Sequence, residues 1–267
     1  MNKISVAIAT YNEGKNISKC LESVKSWVDE IVIVDGTSTD DTVKIAKEFG
    51  ASVISADNPD MFHINKQKAI DACKSGNWIL QLDADEVVST DLKKEIIVAI
   101  NNQQPITHSL QSINGFWLPR KNFFLGRFFE KGGQYPDYTL RLYRKGKGKL
   151  PCKSVHEQAV VEGETAYLKN PLLHYPYPNF AHYLEHFNKY TDIFADELID
   201  KKISISFSSI VSFMFIKPFL WFLLTFVRHK GFVDGFPGFV FSFFSALRYP
   251  VSYIKYWEKK KLGNISK

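Results

Sequence analysis

Over about the first hundred residues, short apolar runs that end in acids alternate with helix-period segments, and this rhythm constrains the fold most. Ile4–Ala9 is a buried-strand pattern that leads into Thr10-Tyr11-Asn12-Glu13. Ile17, Leu21, Val24 and Val28 then recur at helical spacing. Ile31–Val34 is a second strand and ends in Asp35-Gly36. Asp40 and Asp41 open a helix that carries Val43, Ile45, Ala46 and Phe49 and stops at Gly50. Ser52–Ile54 reads as a third strand, Lys66–Cys73 as helical, and Trp78–Leu82 as a fourth strand that ends at Asp83. Ser89 or Thr90 caps a helix over Leu92–Ile100. This order predicts an α/β fold, a mostly parallel sheet covered by helices. Ligands of open parallel sheets bind at the carboxyl edge of the strands. Glu13, Asp35, Asp83 and Asp85 all fall there.

Asp83-Ala84-Asp85-Glu86 is the sharpest of these features. Two carboxylates one residue apart, on a loop leaving an apolar strand, suit a hard divalent cation such as Mg²⁺ or Mn²⁺. Mg²⁺ is usually held by one or two carboxylates together with substrate phosphate oxygens. One acid at a strand end is commonly a helix cap, but a set of them at a single edge calls for a ligand.

Beyond residue 102 the pattern changes. Phe116–Pro119 and Leu140–Tyr143 read as strands, and the next long helix is Phe180–Leu198. From Ile203 a different solvent is expected, since 12 of the 22 Phe lie between Phe207 and Phe244. Ile203–Ile216 and Phe219–Val227 are uncharged, with Lys217-Pro218 expected to interrupt them, and Gly235–Leu247 is a third uncharged stretch. Such pieces are short for a span of about 20 residues. Basic and aromatic flanks, among them Arg228, Lys230, Arg248, Lys255 and Lys259–Lys261 with Trp221 and Trp257, fit helices lying on anionic lipid. The expected division is therefore residues 1–200 for the α/β domain, with halves 1–102 and 103–200, and 201–267 for a membrane-associating region.

Composition narrows the classes. At 45% hydrophobic and 23% charged the chain is ordinary globular protein. The net charge of +6 alone does not select nucleic acid, because the basic residues are not gathered on the N-terminal part and no recognition motif occurs. Three scattered cysteines form neither a zinc spacing nor a disulfide framework, and the first apolar run is too short for a signal peptide. A cytoplasmic protein is expected.

Three ordered stretches carry a family resemblance: Ile8-Ala9-Thr10-Tyr11-Asn12-Glu13, then Ile33-Val34-Asp35-Gly36-Thr37-Ser38-Thr39-Asp40-Asp41-Thr42, then Trp78-Ile79-Leu80-Gln81-Leu82-Asp83-Ala84-Asp85-Glu86. Together they resemble family 2 glycosyltransferases of the GT-A fold. Tyr135-Pro136-Asp137, Arg141-Leu142-Tyr143-Arg144, Val155-His156-Glu157, Leu173-His174-Tyr175 and Gly231-Phe232-Val233-Asp234-Gly235 are similar to the branch of lipopolysaccharide-core β-1,4-glucosyltransferases. One departure is visible: the Ala-Arg-Asn element of many relatives is replaced by Ile64-Asn65-Lys66-Gln67-Lys68-Ala69.

The resemblance implies an inverting transfer from a nucleotide sugar with a divalent metal, Mg²⁺ or Mn²⁺. By position it places Thr10, Tyr11 and Glu13 at the nucleoside and Asp35 on the base. Asp83 then faces ribose or sugar, and Asp85, with Asp83, reaches the metal and diphosphate. Lys66 or Lys68 supplies a cation near the diphosphate. Inversion needs a base for the acceptor hydroxyl; Glu157 is the first candidate and Asp137 the second. His156 orients Glu157 or joins Arg141, Arg144 and Arg120 at an anionic acceptor, while His174 reads as a core histidine. The expected partners are a UDP-hexose, a lipid-linked saccharide and the anionic surface of the inner membrane on its cytoplasmic face, with a peripheral or monotopic attachment. Transfer to a polyprenyl phosphate and a non-catalytic membrane scaffold are the alternatives, and an intact Asp-x-Asp speaks against the scaffold.

Overall fold

The computed structural model describes residues 2–59, 61–101, 113–153 and 157–262, so the expectation for His156 lies outside the described residues. The chain forms two compact units. One comprises Met1–Lys121 and Asp137–His174, the other Asn122–Pro136 and Tyr175–Lys267. The expected boundary at residue 200 differs from this division: the helix before it groups with the C-terminal helices, and so does an excursion from the middle of the chain.

In the first unit the strands β1 (Ile4–Thr10), β2 (Glu30–Asp35), β3 (Ser52–Ser55) and β4 (Trp78–Asp83) lie parallel in the order β3-β2-β1-β4. The crossovers contain α1 (Ile17–Val24), α2 (Thr42–Glu48) and α3 (His63–Ala72). β1 is central and buried on both faces, with Val6 and Ile8 in one apolar cluster and Ala7 in another. Its run of consecutive apolar residues is what a two-sided parallel strand requires. The register sets Thr10 opposite Asp35 and Ala9 opposite Asp83, so the acid-bearing strand ends share one edge.

The rest of this sheet departs from parallel. After β5 (Glu86–Val88), α4 (Thr90–Asn101), β6 (Ile113–Phe124) and β7 (Arg127–Phe128), the strand β8 (Asp137–Arg144) returns antiparallel to β4 and β6. Phe116 faces Leu142 but Trp117 faces Leu140, leaving Arg141 as an extra residue in a bulge. Bulges beside sites commonly re-aim a side chain. A small ribbon joins β9 (Gly148–Lys149) and β10 (Val160–Val161), β11 (Glu164–Tyr167) runs parallel to β6, and β12 (Leu172–His174) pairs antiparallel with β5.

The second unit is helical. α5 (Phe180–Asp200) is capped by Asn179, whose side chain accepts from the His182 amide at 2.9 Å. It packs Tyr183, Ala195 and Leu198 against residues of the last helix, Gly235–Leu262. Lys217-Pro218 does not interrupt the chain as expected: one helix runs from Phe207 to Arg228. The turn before the proline, Ser212–Ile216, is widened to π-type, which makes room for a residue that has no amide hydrogen to give. Asp234 is fully buried, accepts from the Glu130 and Lys131 amides at 2.9 Å each, and pairs with Arg127 at 3.2 Å. These contacts bind the 122–136 excursion to the turn between the two apolar helices.

Candidate active site

At the shared strand edge a cavity of about 270 Å³ is lined by Thr10, Tyr11, Glu13, Lys66, Asp85 and His174, among others. A second, of about 230 Å³, shares Phe62, Lys66 and Asp83 with the first and continues to His63, Thr139, Arg141 and Glu157. Lys66 and Asp83 stand at the junction.

Asp83 is the most heavily engaged acid. Lys66 Nζ, from α3, contacts its Oδ1, and the Arg141 guanidinium, re-aimed by the bulge, reaches its Oδ2. Burial alone would raise the Asp83 pKa, but Arg141 and Lys66 outweigh it and hold the carboxyl well below the ordinary carboxylate range. Behind it lies Glu86, fully buried, which takes Arg141 at 3.0 Å, Arg120 at 3.7 Å and the Asp83 amide at 2.9 Å. Although burial opposes it, Asp83 and Glu86 push the Arg141 pKa further up. A buried acid and base so paired keep each other ionised.

Asp85 is placed differently. Its Oδ2 lies 3.2 Å from His174 Nε2, which β12 delivers by pairing His174 with Glu86 of β5. Glu13 lines the same cavity with its pKa raised, chiefly by burial and then by Asp85, Asp83 and Asp40, against a hydrogen bond from Asn16. Negative charge is therefore concentrated where a cation would sit. Among the described residues no group of three or more His, Cys, Asp and Glu could hold a metal. A Mg²⁺ or Mn²⁺ that shares substrate phosphate oxygens needs only one or two protein donors. Asp85 and His174 supply two, so the residues present fit such an ion.

The structure gives several of the expected site residues partners of their own. Asp83 does not present a free carboxylate to a metal, because Lys66 and Arg141 take its two oxygens. Arg141 itself is buried in that network and lines the second cavity. Arg144 sits opposite Trp78 at the start of β4, the far edge of the sheet from Asp83, with its guanidinium over the Trp78 ring. Three residues along a strand move a side chain by about 10 Å, enough to remove Arg144 from the site. Glu157 lines the second cavity, and its oxygens accept from the Cys152 and Lys153 amides. Asp137 is forked by Arg120 at 2.6 and 2.9 Å. Asp35 is buried and accepts from Thr10 Oγ1 at 3.1 Å and the Ser38 amide at 2.8 Å, shaping the loop behind Thr10.

His174 is the main residue that sequence reasoning missed, reading it as core. The pairing of β12 with β5, nearly ninety residues away in sequence, is what brings it to Asp85. Nothing local announces that. His63 was also passed over, although it lies one helical turn before Lys66 on α3. Its Nδ1, together with Thr139 Oγ1 and Arg141 Nε, is buried without a hydrogen-bond partner beside the second cavity. Buried polar atoms left this way ordinarily mark a strained or functional site.

A half-parallel sheet with an Asp-x-Asp loop at its carboxyl edge defines a GT-A type fold. The sequence profile described as glycosyl transferase family 2 matches residues 5–159. An uncharacterized glycosyltransferase of Rickettsia felis is 30% identical over 91% of this chain and 85% of its own. The lipopolysaccharide core biosynthesis glycosyltransferase LpsC of Rhizobium meliloti is 27% identical over 92% of this chain and 91% of its own. Among solved structures, S. aureus TarS residues 1–349 superposes with a TM-score of 0.48 at 17% identity, covering 88% of this chain and 75% of that one. The chain belongs to glycosyl transferase family 2 and is an enzyme of that class.

Proposed function

We propose that the protein is an inverting, metal-dependent hexosyltransferase that moves a sugar, glucose in the first instance, from a UDP donor to a lipid-linked saccharide of the lipopolysaccharide inner core. The observation that carries the donor reading is the Asp85–His174 pair at the mouth of a cavity whose other walls are Thr10, Tyr11, Glu13 and Lys66. Similarity to LpsC along nearly the whole chain supports the acceptor class.

In this reading Asp85 and His174 hold the divalent ion, which when bound offsets the charge of the diphosphate. Lys66, kept in place by Asp83, adds a cation on the leaving-group side. Arg141 and Glu86 hold Asp83 so that its orientation survives turnover. The second cavity receives the sugar and the attacking hydroxyl, where the unpartnered His63, Thr139 and Arg141 atoms offer hydrogen bonds. The exposed apolar helices of the second unit tether the enzyme to the surface that carries its acceptor.

Calorimetry of UDP-glucose with Mn²⁺ and with chelator tests the donor site. Asp85→Asn is expected to abolish the metal-dependent part of binding and to lower turnover on the order of 10²–10³-fold, with unchanged thermal unfolding. Equal affinity with and without metal would refute the metal role. Transfer of labelled glucose to an inner-core acceptor tests the rest. A specific observation keeps one second reading, a polyprenyl phosphate acceptor: both expected bases are already held, Glu157 by amides and Asp137 by Arg120. A phosphate nucleophile needs no strong base, and full activity of Glu157→Gln and Asp137→Asn on such an acceptor would select it.

A further inference from the structure

The Phe207–Arg228 helix has 22 residues, and its most apolar 18-residue stretch has a mean hydropathy of 2.0. At 1.5 Å per residue it is about 33 Å long, enough for a hydrocarbon core of about 30 Å. Its neighbours bear on how it can be oriented. The Gly235–Leu262 helix runs antiparallel along it: Phe226 meets Phe239 at 5.9 Å, Trp221 Nε1 donates to Ser245 Oγ at 2.7 Å, and Phe213 stacks on Tyr253 at 5.0 Å. The same last helix carries α5 in parallel. Tyr183 meets Phe244 at 6.0 Å and Phe194 meets Tyr249 at 5.8 Å. Lys255 pairs with Asp192 at 3.0 Å and Lys259 with Asp196 at 2.6 Å. The three helices are level along most of their length.

α5 exposes Glu185, Lys189, Asp196 and Glu197. A bilayer holding the apolar helix upright would enclose these charges at the same depth, at roughly 2.5–3.5 kcal/mol for a charge near its centre. The exposed apolar residues are arranged for another orientation. On one helix Ile216, Phe219, Leu220, Leu223 and Val227 form a single face, and on the other Phe236, Phe239, Phe243, Ile254 and Trp257 do so. The first stripe covers Ile216–Val227, with Phe207 and Phe215 exposed off it, and the second runs from Phe236 to Trp257, while Lys255 and Lys259 turn aside to α5. Exposed Lys201, Lys202, Arg228, Lys230, Lys260 and Lys261 lie at the helix ends. A second copy would set this positive fringe against itself, whereas anionic headgroups neutralise it.

Building on the membrane tether proposed above, we infer that the Phe207–Arg228 helix does not cross the membrane but lies in its plane. Beside it lies the Gly235–Leu262 helix, and the two apolar stripes enter a single anionic leaflet while α5 stays in water. The test uses the full chain with Cys152→Ser, its other cysteines being buried. Single cysteines at Ser208 and Arg228 are added, and the protein is bound to sealed vesicles of phosphatidylethanolamine and phosphatidylglycerol. A membrane-impermeant maleimide is expected to label both positions from outside, and nitroxides at Ile216, Leu220 and Val227 to report one shared shallow depth. Protection of one end, with depth rising to a maximum at the middle, would overturn the in-plane orientation and leave the tether standing. Failure to sediment with any vesicles would overturn both, and UDP-glucose binding measured on the same sample would show whether the donor reading survives.

Discussion

The two units treat charge in opposite ways. At the sheet edge, Asp83, Glu86, Lys66, Arg141 and Arg120 are drawn out of water and satisfied by one another, so each is fixed by its neighbours. In the helical unit Asp234 beside Arg127 is the single buried acid among the described residues, and the surface carries Phe, Ile and Leu next to the charges of α5, with Phe207, Phe219 and Phe236 each more than 60% accessible. The first arrangement is costly to disturb because a removed partner leaves a buried charge unpaired. The second is cheap to disturb in solution, because a side chain already exposed to water loses little when it is replaced.

That contrast orders the expected effects of substitution. Arg141→Ala leaves Asp83 with Lys66 alone and fully buried Glu86 with only the more distant Arg120, and should cost about 3 kcal/mol of unfolding free energy, measured by denaturant titration; a loss below 1 kcal/mol would mean that the network is not what holds the edge together. Phe219→Ser should leave stability in detergent within about 0.5 kcal/mol. Its affinity for anionic vesicles should nevertheless fall about tenfold or more, since burying such a side chain is worth roughly 1.5–3 kcal/mol. An unchanged vesicle affinity would break the comparison from the other side.

A smaller effect is expected at Glu13. Its pKa is raised in the fold, so between the unfolded value near 4.5 and the folded value the native state binds more protons, and stability falls as pH rises. Glu13→Gln should remove that decline and make the protein slightly more stable at neutral pH, read from unfolding curves across this window. Smallest of all, Arg144→Ala, at the far strand edge, should leave transfer kinetics unchanged; a clear rise in KM for an anionic acceptor would return it to the site.

Much of the α/β unit is legible in the chain. The apolar runs Ile4–Ala9, Ile31–Val34 and Trp78–Leu82 match β1, β2 and β4 within one residue at each end, because a strand buried on both faces is nearly all apolar, Ser5 and Gln81 being the exceptions. Asp83 and Asp85 are legible for the same reason, being acids at the ends of such strands. The helical unit is less so. Lys217-Pro218 reads as a break, yet a widened turn lets the helix continue. The charges of α5 reveal nothing of which helices they run beside until Lys255 and Lys259 are seen across from Asp192 and Asp196.

Sequence by itself determined the parallel strands, the common edge of their acids, the family and the apolar character of the last third. Those follow from periodicity and from residue types whose solvent preference is set one residue at a time. Tertiary structure decided which of the acids are free. It locked Asp83 between Lys66 and Arg141, put His174 beside Asp85, turned Glu157 and Asp137 to other donors, and sent Arg144 to the opposite edge. A carboxylate's chemistry depends on what lies within about 4 Å of it, and those neighbours come from strands that only the folded sheet brings together.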